Sequence, residues 1–173
     1  MSFNWVRGQI TLYVFTLVLL MSSTTTSAAS FKSYEVKAVY LFRIANFIRW
    51  NDESTMDTVN FCVIGDKKVS QVLTEITAGK SIRSLAINVQ QSITSLCDIT
   101  YFSELSNSQF TRKDHSPHTV TISDIPNFTD MGGVIELTHI DNKLKPKINL
   151  ANAKQGEYVI GSNLLRIAIV EDK

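Results

Sequence analysis

Residues 59–65 read VNFCVIG, and the fold class turns on this stretch. Apart from Asn60 it is a short apolar run, with apolar residues at both sets of alternating positions. A strand apolar on both faces is covered on both faces, as in a parallel sheet flanked by helices. Gly65-Asp66 closes it, and residues 67–78 then place Val69, Val72, Leu73 and Ile76 at helical spacing, with Gly79 where a C′ glycine belongs. The alternation continues downstream. Residues 85–90 (Leu85, Ile87, Val89) predict a second strand, 92–96 a single helical turn, and 97–102 a third strand. Residues 104–112 predict a weak helix, and 119–123 a fourth strand with Val120 and Ile122 inward. Upstream, residues 34–49 predict a helix with Ser33 as N-cap and Glu35 in the first turn. Leu41, Ile44, Ala45 and Ile48 form its core stripe, widened by Val36, Tyr40 and Phe47, and Trp50-Asn51-Asp52 ends it.

The pattern changes after Gly132-Gly133. Residues 134–140 and 143–150 flank Asp141-Asn142, a two-residue loop of the kind that makes tight hairpins. Counting outward pairs Ile140 with Lys143, His139 with Leu144, Thr138 with Lys145, Leu137 with Pro146, Glu136 with Lys147 and Ile135 with Ile148. One face collects Ile135, Leu137, Leu144 and Ile148. The other carries Thr138, Lys145 and the Glu136–Lys147 charge pair. Leu137–Pro146 falls at a non-bonded pair, so the N–H that proline lacks points away from the partner strand, and 143–150 is expected at the sheet edge. Residues 152–156 read as a short helix or turn. In 162–170, SNLLRIAIV, apolar residues are too dense for periodicity to separate a helix capped by Ser162 from a last strand; the helix is preferred. The whole predicts an α/β single-domain sandwich: a mainly parallel sheet, a late antiparallel hairpin at one edge, and flanking helices.

Seventeen Lys+Arg against 16 Asp+Glu leave a formal charge of +1. That balance argues against non-specific nucleic-acid binding and against a polybasic membrane-surface protein. The first 29 residues read as a secretory signal. Arg7 precedes the apolar run ITLYVFTLVLLM of residues 10–21, and Ser27-Ala28-Ala29 offers a cleavage site after Ala29. The competing reading, a membrane anchor, needs about 20 apolar residues. The mature domain is then residues 30–173, delivered to the periplasm, and it loses Arg7 and with it the net charge.

Both cysteines, Cys62 and Cys97, lie in the mature part. In the common doubly wound order the first strand lies beside the third, which sets these residues across adjacent strands. An exported pair there favours a disulfide over two buried thiols.

Catalytic motifs are thin. The chain has no GxSxG, no SxxK and no GxGxxG, and no cofactor is indicated. His115 and His118 flank Pro117 in a polar loop and read as solvated, His139 reads as a strand end, and no third ligand stands at metal-site spacing. Open α/β sheets bind ligands at the carboxyl ends of their strands. That position makes Asp66, Ser103 and Asp124 the candidate ligand crevice, with Lys67, Lys68 and Arg166 as nearby charge.

Taken in order, YEVKAVYLFRIANFIRW (34–50), FCVIGD (61–66), GKSIRSLAINV (79–89), CDITYFS (97–103), TVTISDIPNFTDMGGVIEL (119–137) and INLANAKQGEYVIGSNLLRIA (148–168) resemble the YfiR-like family of bacterial periplasmic proteins. The resemblance implies a regulator rather than an enzyme. It would bind and repress the periplasmic domain of an inner-membrane diguanylate cyclase, be titrated away by an outer-membrane peptidoglycan-associated lipoprotein, form a homodimer, and tune cyclic-di-GMP and biofilm formation. Relatives carry a further cysteine pair in the later half, absent here, and many have Asn and Phe where this chain has Glu136 and Leu137. A repressor needs an apolar face to dock with. The candidates are Tyr40, Phe47 and Trp50 on the first helix and the 126–131 loop with Phe128 and Met131, although core packing accounts for aromatic residues as well. A periplasmic small-molecule sensor, with its ligand at Asp66, Ser103 and Asp124, is the alternative. A hydrolase is disfavoured by the missing nucleophile.

Overall fold

The computed structural model describes residues 32–103, 110–111 and 115–172. The leader and its cleavage site, and the weak helix expected over 104–112 apart from 110–111, lie outside the described residues.

Helix α1 (Ser33–Ala45) buries Ala38, Leu41, Ile44 and Ala45. Lys32, not Ser33, is its cap residue, and the Glu35 carboxylate accepts the Lys32 backbone N–H at 2.9 Å. The helix ends four residues earlier than periodicity indicates. Asn46 caps it, its side-chain amide donating to the Phe42 carbonyl at 2.8 Å. Ile48–Trp50 becomes strand β1, buried–exposed–buried. Ile44, Ala45 and Ile48 fit a helical stripe, but Ile48 and Trp50 also fit strand alternation, and a partner decides between them. That partner is β9 (Tyr158–Ile160), antiparallel to β1 in a separate two-stranded sheet.

A 3₁₀ turn (Glu53–Thr55) leads into β2 (Thr58–Ile64). Helix α2 (Lys67–Thr77) follows, N-capped by Asp66, whose carboxylate accepts from the Lys68 and Val69 N–H groups at 2.9 and 3.1 Å. Gly79 takes φ +68° just past the helix, a region that suits glycine. The Lys68 ammonium lies 5.5 Å from the Tyr34 ring and that of Lys80 5.5 Å from the Phe42 ring, so α1 and α2 run side by side in one direction. Next come β3 (Ser81–Ile82), β4 (Leu85–Gln90), β5 (Ile99–Phe102), β6 (Val120–Ser123), β7 (Ile135–Ile140) and β8 (Lys143–Asn149). Residues 92–96 form bends and a turn rather than a helical turn. The chain closes with α3 (Leu150–Ala153), β9, α4 (Ser162–Ile167) and β10 (Ile169–Glu171). The dense final run thus resolves into both options, a helix and then a strand, with Gly161 rather than Ser162 as the helix cap.

The main sheet has the order β10-β8-β7-β6-β5-β2-β4-β3. Strands β4, β2, β5, β6 and β7 are mutually parallel, and every residue of β5 and β6 is buried. The fold is therefore α/β with a mostly parallel sheet, and the strand order reverses at β2, as in doubly wound sheets. Cys62 in β2 and Cys97 just before β5 are joined by a disulfide, with their Cα atoms 5.8 Å apart.

The β7–β8 hairpin has the register read from its polarity, from Ile140–Lys143 to Ile135–Ile148. One expectation needs correction. Strand β8 is not the edge along its full length, because β10 pairs parallel with Lys147, Ile148 and Asn149. The pairing begins one residue past Pro146, where a backbone donor becomes available again. Only the 143–146 portion of β8 remains an outer edge.

Candidate functional site

Parallel strands bring their following residues to one end of the sheet, so Asp66 after β2, Ser103 after β5 and Asp124 after β6 do assemble. They form a closed network instead of an open crevice. Asp66 and Ser103 are 9% and 0% exposed, and the Asp124 side chain is 6% exposed. Asp66 is engaged in capping α2, the Ser103 N–H donates to the Ile64 carbonyl at 2.9 Å, and Asp124 forms an ion pair with Lys37 of α1 at 2.5 Å. Tyr101 completes the cluster. Burial pushes its phenol well above the ordinary range, and the Asp124 carboxylate adds to the effect. The arrangement ties α1 to the strand ends. Lys67 and Lys68 are exposed beside it, while Arg166 bonds Asn163 within α4.

The histidines differ from expectation. His118 is half-buried, with Nε2 2.7 Å from Asp98 and Nδ1 3.3 Å from Asp52. His115 stacks on Phe110 at 5.4 Å. Both read as solvated because the surrounding sequence is polar, but His115 lies against the Phe102 and Phe110 rings and His118 against two carboxylates. His139 stands exposed at the hairpin end. Among the described residues no group of three or more His, Cys, Asp or Glu is arranged to hold a metal ion.

The five aromatic and methionine candidates for a docking face separate. Trp50 is 3% exposed and donates its indole N–H to the His118 carbonyl at 3.1 Å, so it is core. Phe128 is 0% exposed, 4.5 Å from Phe110 between ring centres, and it too is core. Met131 is exposed. Tyr40 and Phe47 are half-buried and line a groove of about 380 Å³ with Arg43, Leu164 and Ile167. A second hollow of about 430 Å³ joins it through Tyr40 and Ile167 and extends over Val36, Leu144 and Pro146. Leu164 and Ile167 were hidden in the dense apolar run. The signal for Ile167 is its exposure, 60% for a large aliphatic side chain beside other apolar groups.

No helix among the described residues is long and apolar enough to cross a membrane. No curated protein matches the chain. A family model described as YfiR/HmsC-like matches residues 34–169, from the first turn of α1 to the start of β10 and including both walls of the groove. With most of its length matched in this way, the chain belongs to the YfiR/HmsC-like family.

Proposed function

We propose that this protein is a periplasmic regulator that docks onto the periplasmic domain of an inner-membrane signalling protein, a diguanylate cyclase, and represses it. Cyclic-di-GMP and biofilm formation then follow its occupancy. It acts by binding rather than turnover, as a homodimer, and an outer-membrane peptidoglycan-associated lipoprotein competes for it. The observation that carries this reading is membership of the YfiR/HmsC-like family over residues 34–169. The leader motif in residues 1–29 and the Cys62–Cys97 bond suit an oxidising compartment. The apolar lining of the α1–α4 groove supports this reading, since an exchangeable contact of roughly 1,000–1,600 Å² needs an apolar face to bury. The small-molecule reading is weakened by the closure of Asp66, Ser103 and Asp124.

The test is affinity capture of the tagged, exported chain from detergent-solubilised envelopes, with bound proteins identified by mass spectrometry. A membrane-anchored diguanylate cyclase should be recovered. Recovery of soluble proteins alone would overturn the proposal.

A further inference from the structure

From the chemistry of the groove, and resting on the docking function just proposed, we infer that its occupant is an amphipathic α-helix of the partner whose apolar stripe is flanked by Asp and Glu. Three observations lead there. The first is shape. The two hollows share Tyr40 and Ile167, and their lining runs from Val36 along α1 and past its end to Phe47. From Val36 to the end of α1 at Ala45 the helical rise spans about 14 Å, the length of two to three turns of a second helix. The second is charge. Arg43 lines one hollow and Lys143 and Lys145 the other, and no Asp or Glu lines either among the described residues. None of these three cations has a carboxylate partner there, in contrast to the paired Lys37, Lys147 and Lys154. A cationic rim around an apolar floor selects an anionic partner by like-charge exclusion as much as by attraction.

The third observation weighs against strand addition as the mode of docking. On the 143–146 edge of β8, the outward backbone groups belong to the non-bonded pair positions, Leu144 and Pro146. The Leu144 carbonyl already accepts the Tyr40 hydroxyl at 2.6 Å, and Pro146 has no N–H to offer. An incoming strand would find the Leu144 carbonyl engaged and no N–H at Pro146, so two of the four outward backbone groups are closed to it. A helix satisfies its own backbone and needs only side-chain contact.

Two labelled eighteen-residue helical peptides test this with the full exported chain. Both carry leucine at i, i+3, i+4 and i+7; one is flanked by Glu and the other by Lys. By fluorescence anisotropy the Glu peptide should bind at least tenfold more tightly. Arg43→Glu with Lys145→Glu should reverse the preference, and Ile167→Asp should abolish binding of the Glu peptide. Equal binding of the two peptides, binding of neither, or an unchanged preference in the charge-reversed chain would overturn the inference. The capture experiment, run with both chains, separates the two claims. A cyclase recovered equally by wild type and charge-reversed protein overturns the acidic helix and leaves the docking function standing. Selective binding of the Glu peptide with no cyclase recovered overturns the function and leaves the groove chemistry standing.

Discussion

Removing the Cys62–Cys97 bond by the double substitution Cys62→Ala, Cys97→Ala probes the sheet at its centre, where β2 meets β5. The bond closes a loop of 35 residues. In the chain-entropy model that restriction of the unfolded state contributes about 4 kcal/mol at 25 °C. The alanines remove more than the covalent link. Cys62 and Cys97 are 0% and 2% exposed, so truncation also leaves small voids, and the Gln90 amide loses its contact with the Cys62 sulfur at 3.0 Å. Those losses add about 1–2 kcal/mol. Reduction of the wild type keeps the sulfur volume, so it isolates the chain-entropy part. The assay is urea unfolding of both proteins with and without dithiothreitol. With a slope near 2 kcal/mol/M, reduction should lower the wild-type midpoint by about 2 M, and the double variant should be lower again and indifferent to reductant. Coincident wild-type curves under oxidising and reducing conditions would refute the reasoning, as would a double variant that still responds to reductant.

Other perturbations test the remaining contacts. Lys37→Met removes the cation paired with the Asp124 carboxylate, whose side chain is 6% exposed, and should destabilise by about 3 kcal/mol, with most of the loss recovered by adding Asp124→Asn. Gly133→Ala would drive a Cβ into the Phe128 ring, which is itself held by Phe110; a loss of about 1–3 kcal/mol and a weakened near-ultraviolet dichroism signal are expected. Stability should also fall at alkaline pH. Tyr101 keeps its proton in the folded state above the ordinary value of 10.0, chiefly through burial, while the unfolded chain loses it, so stability is intact below about pH 9.5 and declines by about 1.4 kcal/mol per pH unit above 10. Lys147 acts in the same direction: burial works against its charge, but the hydrogen bond and charge of Glu136 outweigh it and raise its pKa above 10.5. Denaturation midpoints measured from pH 8 to 11 check the sign, and Tyr101→Phe should shallow the decline.

Much of this fold is legible from local pattern because each readable element reports its own faces. The apolar β2, the α2 stripe and the hairpin register all follow from residues close together in the chain. What escaped depends on distant partners. β1 is a strand because Tyr158–Ile160 lies beside it, and no period within residues 44–50 reveals that. The 162–170 run is apolar at nearly every position, so alternation carries no information about where helix gives way to strand. The groove residues were only half visible for a similar reason. Tyr40 and Phe47 stand out as aromatics, but Trp50 and Phe128 stand out equally and are core. Only the packing of α4 against α1 separates wall from interior, and it brings in Leu164 and Ile167. Asp66 and Asp124 stand at strand ends as the topology indicates, but the closure of Asp124 depends on Lys37 from a helix 87 residues away in sequence.

Ile167 is 60% exposed in the groove wall, so Ile167→Asp should leave the fold intact while spoiling an apolar contact. The most direct measurement is cellular cyclic-di-GMP in a strain deleted for this protein and complemented with either the wild-type or the Ile167→Asp chain, both confirmed exported and equally stable. The account predicts that deletion raises the level, the wild type restores it, and the variant does not. An unchanged level on deletion, or full restoration by the variant, would contradict it.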